Sequence, residues 1–426
     1  MNLGSIWLEG SLTVYFLSVI FAFIYYLVYS NHRVHLRDAS ILSEEDSPYV
    51  SIVVPTYNEE SNIVECLNSL KALTYPKFEI IVTDGGSSDR TVELAKPLAD
   101  KIIIDSTVPK GWIGKSWGCH IAMKNKVSPK SEIILFTDAD TRHGPESLSR
   151  AVSMLQNRNR DLLTCLPYQR LVKWWEGIIP AFYILSVIVP GGAGCINNPK
   201  KKKSITASGQ YMLFRRSSYN KIGGHEKIRG SIIEDVALAK MIKMKLGGLL
   251  WVENDRLIES RLYPDSFTSF WQGFSKSVFS GTKFYTPFSI IFAVAFSFWG
   301  LLSPIAIILA VIEGNRQWIS WTIISTLIFP VIIFFGWKDR GAHHWIMYLF
   351  YPFTFLMFLC NALSSIVELQ FLKKSVWRGR KYENVDLYAG IREDQEIQEI
   401  SEKTTERKKP KPIKTITHHG KSLEKQ

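Results

Sequence analysis

The chain has 426 residues, 46% hydrophobic and 21% charged, and its 51 Lys+Arg against 39 Asp+Glu give a net charge of +12. This balance excludes a disordered, collagen-like or disulfide-framework protein, and the length points to two or three structural units. A mean hydropathy of +0.03 is high for a soluble enzyme and low for a chain wholly in membrane, so the apolar residues must be clustered.

Residues 12–29 are an uncharged apolar run of about 18 residues, the length needed to cross a bilayer. No basic region precedes it and no small-residue cleavage site follows, which predicts a retained signal anchor. Glu9 is the only charged side chain before it, while Arg33 and Arg37 follow at once, so positive-inside bias places the next segment in the cytoplasm. Residues 1–30 are thus expected to be an anchor and 31–48 a linker.

From 49 to 285 the pattern is that of one α/β domain. The runs YVSIVVP (49–55), FEIIV (78–82) and EIILF (132–136) are short and continuously apolar, as strands buried on both faces of a parallel sheet must be. Residues 62–73 and 91–98 between them have helical spacing. Alternating strand and helix predicts a doubly wound, Rossmann-like α/β fold, in which ligands bind beyond the carboxyl ends of the strands. The polar clusters fall there: TYNE after the first strand, DGGSSDRT after the second, TDAD after the third. Asp138 and Asp140 repel each other unless a cation intervenes. A hard divalent ion, Mn²⁺ or Mg²⁺, completed by diphosphate oxygens, meets that need; an isolated pair of this kind also occurs as a turn or helix cap.

Further along, 177–190 is apolar but too short to span, and with Trp174 and Trp175 before it reads as an interfacial helix or a buried core helix. Lys200 to Lys203 read equally as a site for anionic headgroups or as a solvated loop. Five scattered cysteines, with no ligand spacing, predict buried thiols in a reducing compartment and no zinc site.

Residues 286–370 hold three more candidate crossings: 288–312 and 318–337 carry no charge, and 345–369 has only Glu368. Trp318, Trp321, Trp337 and Trp345 sit at segment ends, as an interfacial belt does. Lys276 and Lys283 before the first and Lys338 and Arg340 after the second both mark cytoplasmic flanks. A further full crossing would export the basic tail at 371–426, so either the tail breaks the charge rule or the segment around Pro352 turns back. The tail is expected to be disordered, and nucleic-acid binding is not expected, since nothing sets its cations on a folded face among aromatics.

YVSIVVPTYNEE, IIVTDGGSSDRT, ILFTDAD and IIEDVALAK, in this order and spacing, resemble a family 2 glycosyltransferase of the GT-A fold. GWIGKSWG (111–118), GQYMLFRRSSYNKIGGHEKIR (209–229), FWQGFSKSVFSG (270–281) and WRGRKY (377–382) are similar to membrane-bound members that glycosylate carotenoids, hopanoids and ceramide. The resemblance implies that Pro55, Tyr57 and Glu59 hold the base and ribose of a UDP- or GDP-sugar, and that Asp84 reads the base edge. Many relatives carry a second acid where this chain has Gly85, which leaves the base open. It places Lys115 near the donor, Asp138 on donor sugar or ribose, and Asp140 on the metal. Asp235, after Glu234, matches the general base that takes the acceptor proton, and the pair also suits a helix N-cap near Val236.

Gln210, His225, Trp271, Gln272 and Lys276 are the candidates for the acceptor and membrane edge, with a structural turn the alternative for His225. Processive synthases usually carry Gln-x-x-Arg-Trp where this chain has Gln272-Gly273-Phe274-Ser275-Lys276, which argues against polymerisation. The expected protein is a multi-pass membrane glycosyltransferase, with one N-terminal and about three C-terminal transmembrane helices. It would be metal-dependent and inverting, acting on a lipid-linked acceptor at the cytoplasmic face of the cell membrane. The rivals are a polysaccharide synthase, a polyprenyl-phosphate sugar synthase and a non-catalytic membrane scaffold.

Overall fold

The computed structural model describes residues 32–180, 190–261, 266–282, 287–342, 345–371, 374–377 and 380–383, with single positions of the N-terminal run. Most of the expected anchor, the centre of the 177–190 run and most of the tail lie outside the described residues.

Ten strands build the α/β part: β1 (Val50–Thr56), β2 (Phe78–Asp84), β3 (Lys101–Ile104), β4 (Ile133–Thr137), β5 (Thr141–His143), β6 (Leu162–Leu166), β7 (Tyr168–Gln169), β8 (Tyr211–Arg215), β9 (Leu249–Glu253) and β10 (Ile258–Ser260). Seven form one sheet in the order β3-β2-β1-β4-β8-β6-β9. β8 runs antiparallel to both β4 and β6, and the other neighbours are parallel. Ile52, Val54, Ile80, Val82, Ile133 and Leu135 enter the core on one face, and Val53, Ile81, Ile134 and Phe136 enter that on the other. Burial on both faces is why these strands read as unbroken apolar runs. The reversed β8 is not legible in YMLFR, because a short buried run carries no sign of direction. A second sheet, β5-β10-β7, stands beside the first.

Helices α1 (Ile63–Lys71), α2 (Thr91–Ala95), α3 (Gly114–Asn125) and α4 (Ser147–Asn157) connect the first strands. α1 buries Ile63, Cys66, Leu67 and Leu70, one stripe at helical spacing. α3 lies so close on the sheet that a Cβ at Gly118 would stand 2.8 Å from Thr83 Oγ1. α5 (Gly192–Ile196), α6 (Arg216–Ile222), α7 (Gly224–Lys227) and α8 (Glu234–Lys245) follow. Lys202, weighed above as a headgroup contact, donates to the carbonyls of Lys243 and Met244, so it caps the end of α8.

α9 (Phe267–Thr282) leads into α10 (Pro287–Glu313) and α11 (Arg316–Trp337). α10 over Ala293–Glu313 and α11 are each long and apolar enough to cross a membrane. The third expected crossing is broken at Phe350 into α12 (Trp345–Leu349) and α13 (Tyr351–Ile366), with Pro352 in the first turn of α13. An aromatic core of Phe270, Phe296, Phe329, Trp337, Tyr351 and Phe355 joins α9 to α13. The returning end of α11 is tied to the α/β part. The Gln169 N–H donates to the Arg340 carbonyl (2.8 Å), the Ala342 N–H to the Gln169 carbonyl (2.8 Å), and Arg340 pairs with Glu253 at 2.5 Å.

Candidate functional site

The polar clusters gather at the carboxyl ends of β1, β2 and β4. In register, Thr56 lies beside Asp84. Pro55 is half-buried at the end of β1, with half-buried Tyr57 just after it. Asn58 takes a φ of 53°, a left-handed conformation that asparagine tolerates. Its backbone N–H donates to Ser87 Oγ (2.8 Å), and its Oδ1 accepts the Ser88 N–H (2.9 Å). The Glu59 N–H donates to Thr91 Oγ1 at 2.7 Å, and its carboxylate accepts from Asn62. The first two loops are thus laced into one wall.

Asp84 is 2% exposed. Its carboxylate accepts the N–H groups of Gly86 and Ser87 and the hydroxyls of Ser87 and Thr56. It therefore holds the turn in shape. Gly86 is obligatory there, with a φ of +85° and a virtual Cβ 2.6 Å from Ser106 Cβ.

The charged centre is built from α3, the β4 end, the segment before β8 and the start of α8. Lys115 Nζ lies 2.6 Å from Asp138 Oδ1 and 2.8 Å from Glu234 Oε1. Burial alone would lower the Lys115 pKa, but the two carboxylates outweigh it and hold the group well above its ordinary value. Asp235 Oδ2 accepts the Gly209 N–H, and its Oδ1 accepts the Val236 N–H, both at 2.8 Å. Burial, then the neighbouring Glu234, push its carboxyl up to about 6. Gly209 threads between these groups: a Cβ there would lie 2.9 Å from Lys115 Nζ and 3.1 Å from Glu234 Oε1. The sequence reading passed over Gly209, whose signal was its place beside Gln210 at the head of β8.

Asp140 is half-buried, with Gln210 Nε2 at 3.5 Å from its Oδ1. Gln210 also donates to Ser260 Oγ, and it accepts from Gln169 Nε2 at 3.3 Å. Gln210, expected at the acceptor edge, thus links Asp140 to β7 and β10. Among the described residues no three His, Cys, Asp or Glu side chains cluster as a metal site. The oxygen donors still fit a hard divalent ion, because such ions in phosphate sites use one or two carboxylates plus substrate oxygens and water.

Two further candidates are bonded to neighbouring side chains. His225 is 2% exposed, bonded to the Tyr219 hydroxyl and packed on the Phe136 ring. Burial pushes it down to about 3, so it is a neutral core side chain rather than an acceptor contact. Trp271 donates its indole N–H to Ser364 of α13, and so joins α9 to the apolar bundle. Gln272 is half-buried on α9, and the Lys276 side chain lies outside the described residues.

Residues 51–223 match the family model for glycosyl transferase family 2. The 4,4'-diaponeurosporenoate glycosyltransferase of Staphylococcus haemolyticus (strain JCSC1435) is 27% identical over 262 residues, 61% of this chain and 68% of that protein. Its counterpart in Staphylococcus aureus (strain USA300) is 22% identical over 337 residues, 78% of this chain and 88% of that protein. The mannosyltransferase PcManGT of Pyrobaculum calidifontis, solved in complex with GDP-Man and Mn²⁺, shares the fold: TM-score 0.52 and 17% identity, over 86% of this chain and 99% of that one. Fold and family together define a nucleotide-sugar glycosyltransferase. Its residues 51–223 are a family 2 domain of the GT-A fold.

Proposed function

We propose that this enzyme is membrane-anchored, metal-dependent and inverting, and moves one sugar from a UDP- or GDP-sugar to a lipid-linked acceptor at the cytoplasmic face. The observation that carries the reading is the convergence of Lys115, Asp138, Glu234 and Asp235 at the end of β4 and the start of α8. Asp140 would hold a divalent ion, which when bound supplies positive charge to the leaving diphosphate.

The acceptor oxygen attacks the anomeric carbon from the face opposite the nucleotide. The bond from that carbon to the diphosphate oxygen breaks, and the nucleoside diphosphate leaves with the electron pair. Asp235 takes the proton of a hydroxyl acceptor, its orientation fixed by the Gly209 and Val236 N–H groups. Tyr57 and Glu59 line the donor side, with the turn held by Asp84 as its floor. The two staphylococcal relatives are named for an acceptor carboxylate, so a hydroxyl or a carboxylate on an apolar lipid is the acceptor class. The exposed apolar faces of α10 and α11 support a membrane location for such a substrate.

The test is transfer of labelled sugar from UDP- and GDP-sugars into the host's lipid extract by purified protein with Mn²⁺, with Asp140→Ala as control. A lipid-extractable product bearing one sugar, absent with the variant, is expected. Long polymer would hand the case to a processive synthase, and no transfer together with no nucleotide binding would refute catalysis.

A further inference from the structure

We infer that 345–371 is a re-entrant hairpin: it enters the bilayer from the side of the α/β domain, turns at Phe350, and leaves on that same side. The inference rests on the reading that α10 and α11 cross the membrane.

The contacts along the segment fix its course. At the entrance, Ala342 is bonded to Gln169 of β7, at the end of α11 that faces the α/β domain. Tyr348 then meets Phe334, and Tyr351 stacks on Phe329, so the chain retraces α11 away from the domain. The Tyr351 hydroxyl donates to the Thr326 carbonyl (3.2 Å) and contacts Ser303 Oγ. From there the direction reverses. Phe355 packs on Phe296, and a Cβ at Gly300 would strike its ring. Asn361 Nδ2 donates to the Trp271 carbonyl, and Ser364 accepts from Trp271 Nε1. Ser275 Oγ donates to Glu368 (2.7 Å), and Ser365 to the Ser275 carbonyl. Trp271 and Ser275 belong to α9, which precedes the outward helix α10.

The depth of the turn follows from helix rise. Ser303 is ten residues before the end of α10 and Thr326 ten residues after the start of α11, so both helices put Tyr351 about 15 Å short of their far ends. A crossing helix would end beside Glu313 and Arg316; α13 ends at Ser275 instead, where Ser365 donates to the Ser275 carbonyl. Chemistry explains why the turn docks at this depth. Pro330 lacks the N–H that would bond the Thr326 carbonyl within α11, and Tyr351 supplies the missing donor. Unpaired, that carbonyl would be costly in hydrocarbon. At the apex Leu349 and Phe350 are 58% and 60% exposed, a surface suited to acyl chains. The hairpin also removes the charge conflict: Arg33, Arg37, Lys338, Arg340 and the basic positions after 371 share one face, and the far turn carries only Glu313 and Arg316.

Single cysteines at Lys96→Cys, Arg316→Cys and Ser375→Cys, in a Cys195→Ser, Cys360→Ser background, test this with a membrane-impermeant maleimide on vesicles of both orientations. Position 375 is expected to label from the same face as 96 and opposite to 316. Labelling of 375 with 316 would overturn the hairpin and leave the crossings intact. Labelling of 316 with 96 would overturn the crossings and the hairpin with them. A nitroxide at Phe350→Cys adds depth: collision with oxygen should exceed collision with a water-soluble nickel chelate, and the reverse would overturn a buried apex. Trypsin acting at Lys374 of the unsubstituted chain should report the face found for 375, and cleavage from the opposite face would overturn the hairpin. None of these readings depends on sugar transfer.

Discussion

Lys115→Met removes the cation that bridges Asp138 and Glu234 and leaves the shape of its alkyl stem. The native side chain is 18% exposed and its ammonium lies within 2.8 Å of both carboxylates, so the pair is closer to a buried ion pair than to a surface one. Removing one partner of such a pair costs about 3–5 kcal/mol, against under about 1 kcal/mol for an exposed pair. The sign with pH follows from which groups titrate. Lys115, with its pKa held up, contributes fully below its unfolded value of about 10.4, so across pH 5–8 the native lysine does not change charge. Lys115 also lowers the Asp235 pKa, so the acid limb of kcat/KM should move above about 6 in the variant. Denaturation of the detergent-solubilised protein and a pH–rate profile measure the two effects. A deficit under about 1 kcal/mol with an unmoved acid limb would refute the network.

Asp235→Asn should lower kcat about 10²–10⁴-fold with a hydroxyl acceptor while nucleotide binding, read by calorimetry, is kept. In the native enzyme with that acceptor, kcat/KM should fall tenfold per pH unit below about 6; a carboxylate acceptor, already ionised, should show neither effect. Gly209→Ala sets a methyl 2.9 Å from Lys115 Nζ, a flexible tip that can move aside, so activity should fall about 10²-fold with little change in unfolding. Arg340→Met strands Glu253 in the buried junction between α11 and the sheet, at a cost of about 3–5 kcal/mol. Adding Glu253→Gln should restore part of it, and a double variant no more stable than the single one would argue that the pair is not coupled.

The central strands and the loops after them were legible because a sheet covered on both faces demands unbroken apolar runs, and chain polarity then fixes where the ligand end lies. β8 was not, because YMLFR reads the same in either direction and only its pairing with β4 and β6 reverses it. The break at Phe350 was half legible: charge bias demanded a turn or a violation, and Pro352 marked the place, but only contacts made by Tyr351 and Ser365 tell a turn from a kink. His225 was ambiguous for a different reason. A histidine after two glycines suits a cleft or a core equally, and it is the Tyr219 hydroxyl and the Phe136 ring, distant in sequence, that bury it.

Adjacent acids at the start of α8 divide between two jobs because successive helical residues point about 100° apart. Glu234 turns toward Lys115, so its charge is spent in an ion pair that also holds Asp138. Asp235 turns toward the Gly209 backbone and is held by two N–H groups, which orient its oxygens while burial and the charge of Glu234 raise its proton affinity. A general base must be oriented and must bind a proton near working pH, and in the proposed reaction the second acid is the one held by two N–H groups. The first supplies the negative neighbour that raises the second and an anchor for Lys115. Exchanging the two residues would leave the composition of the site unchanged and reverse the assignment, aiming the longer carboxylate at Gly209 and the shorter one at a lysine it is less able to reach.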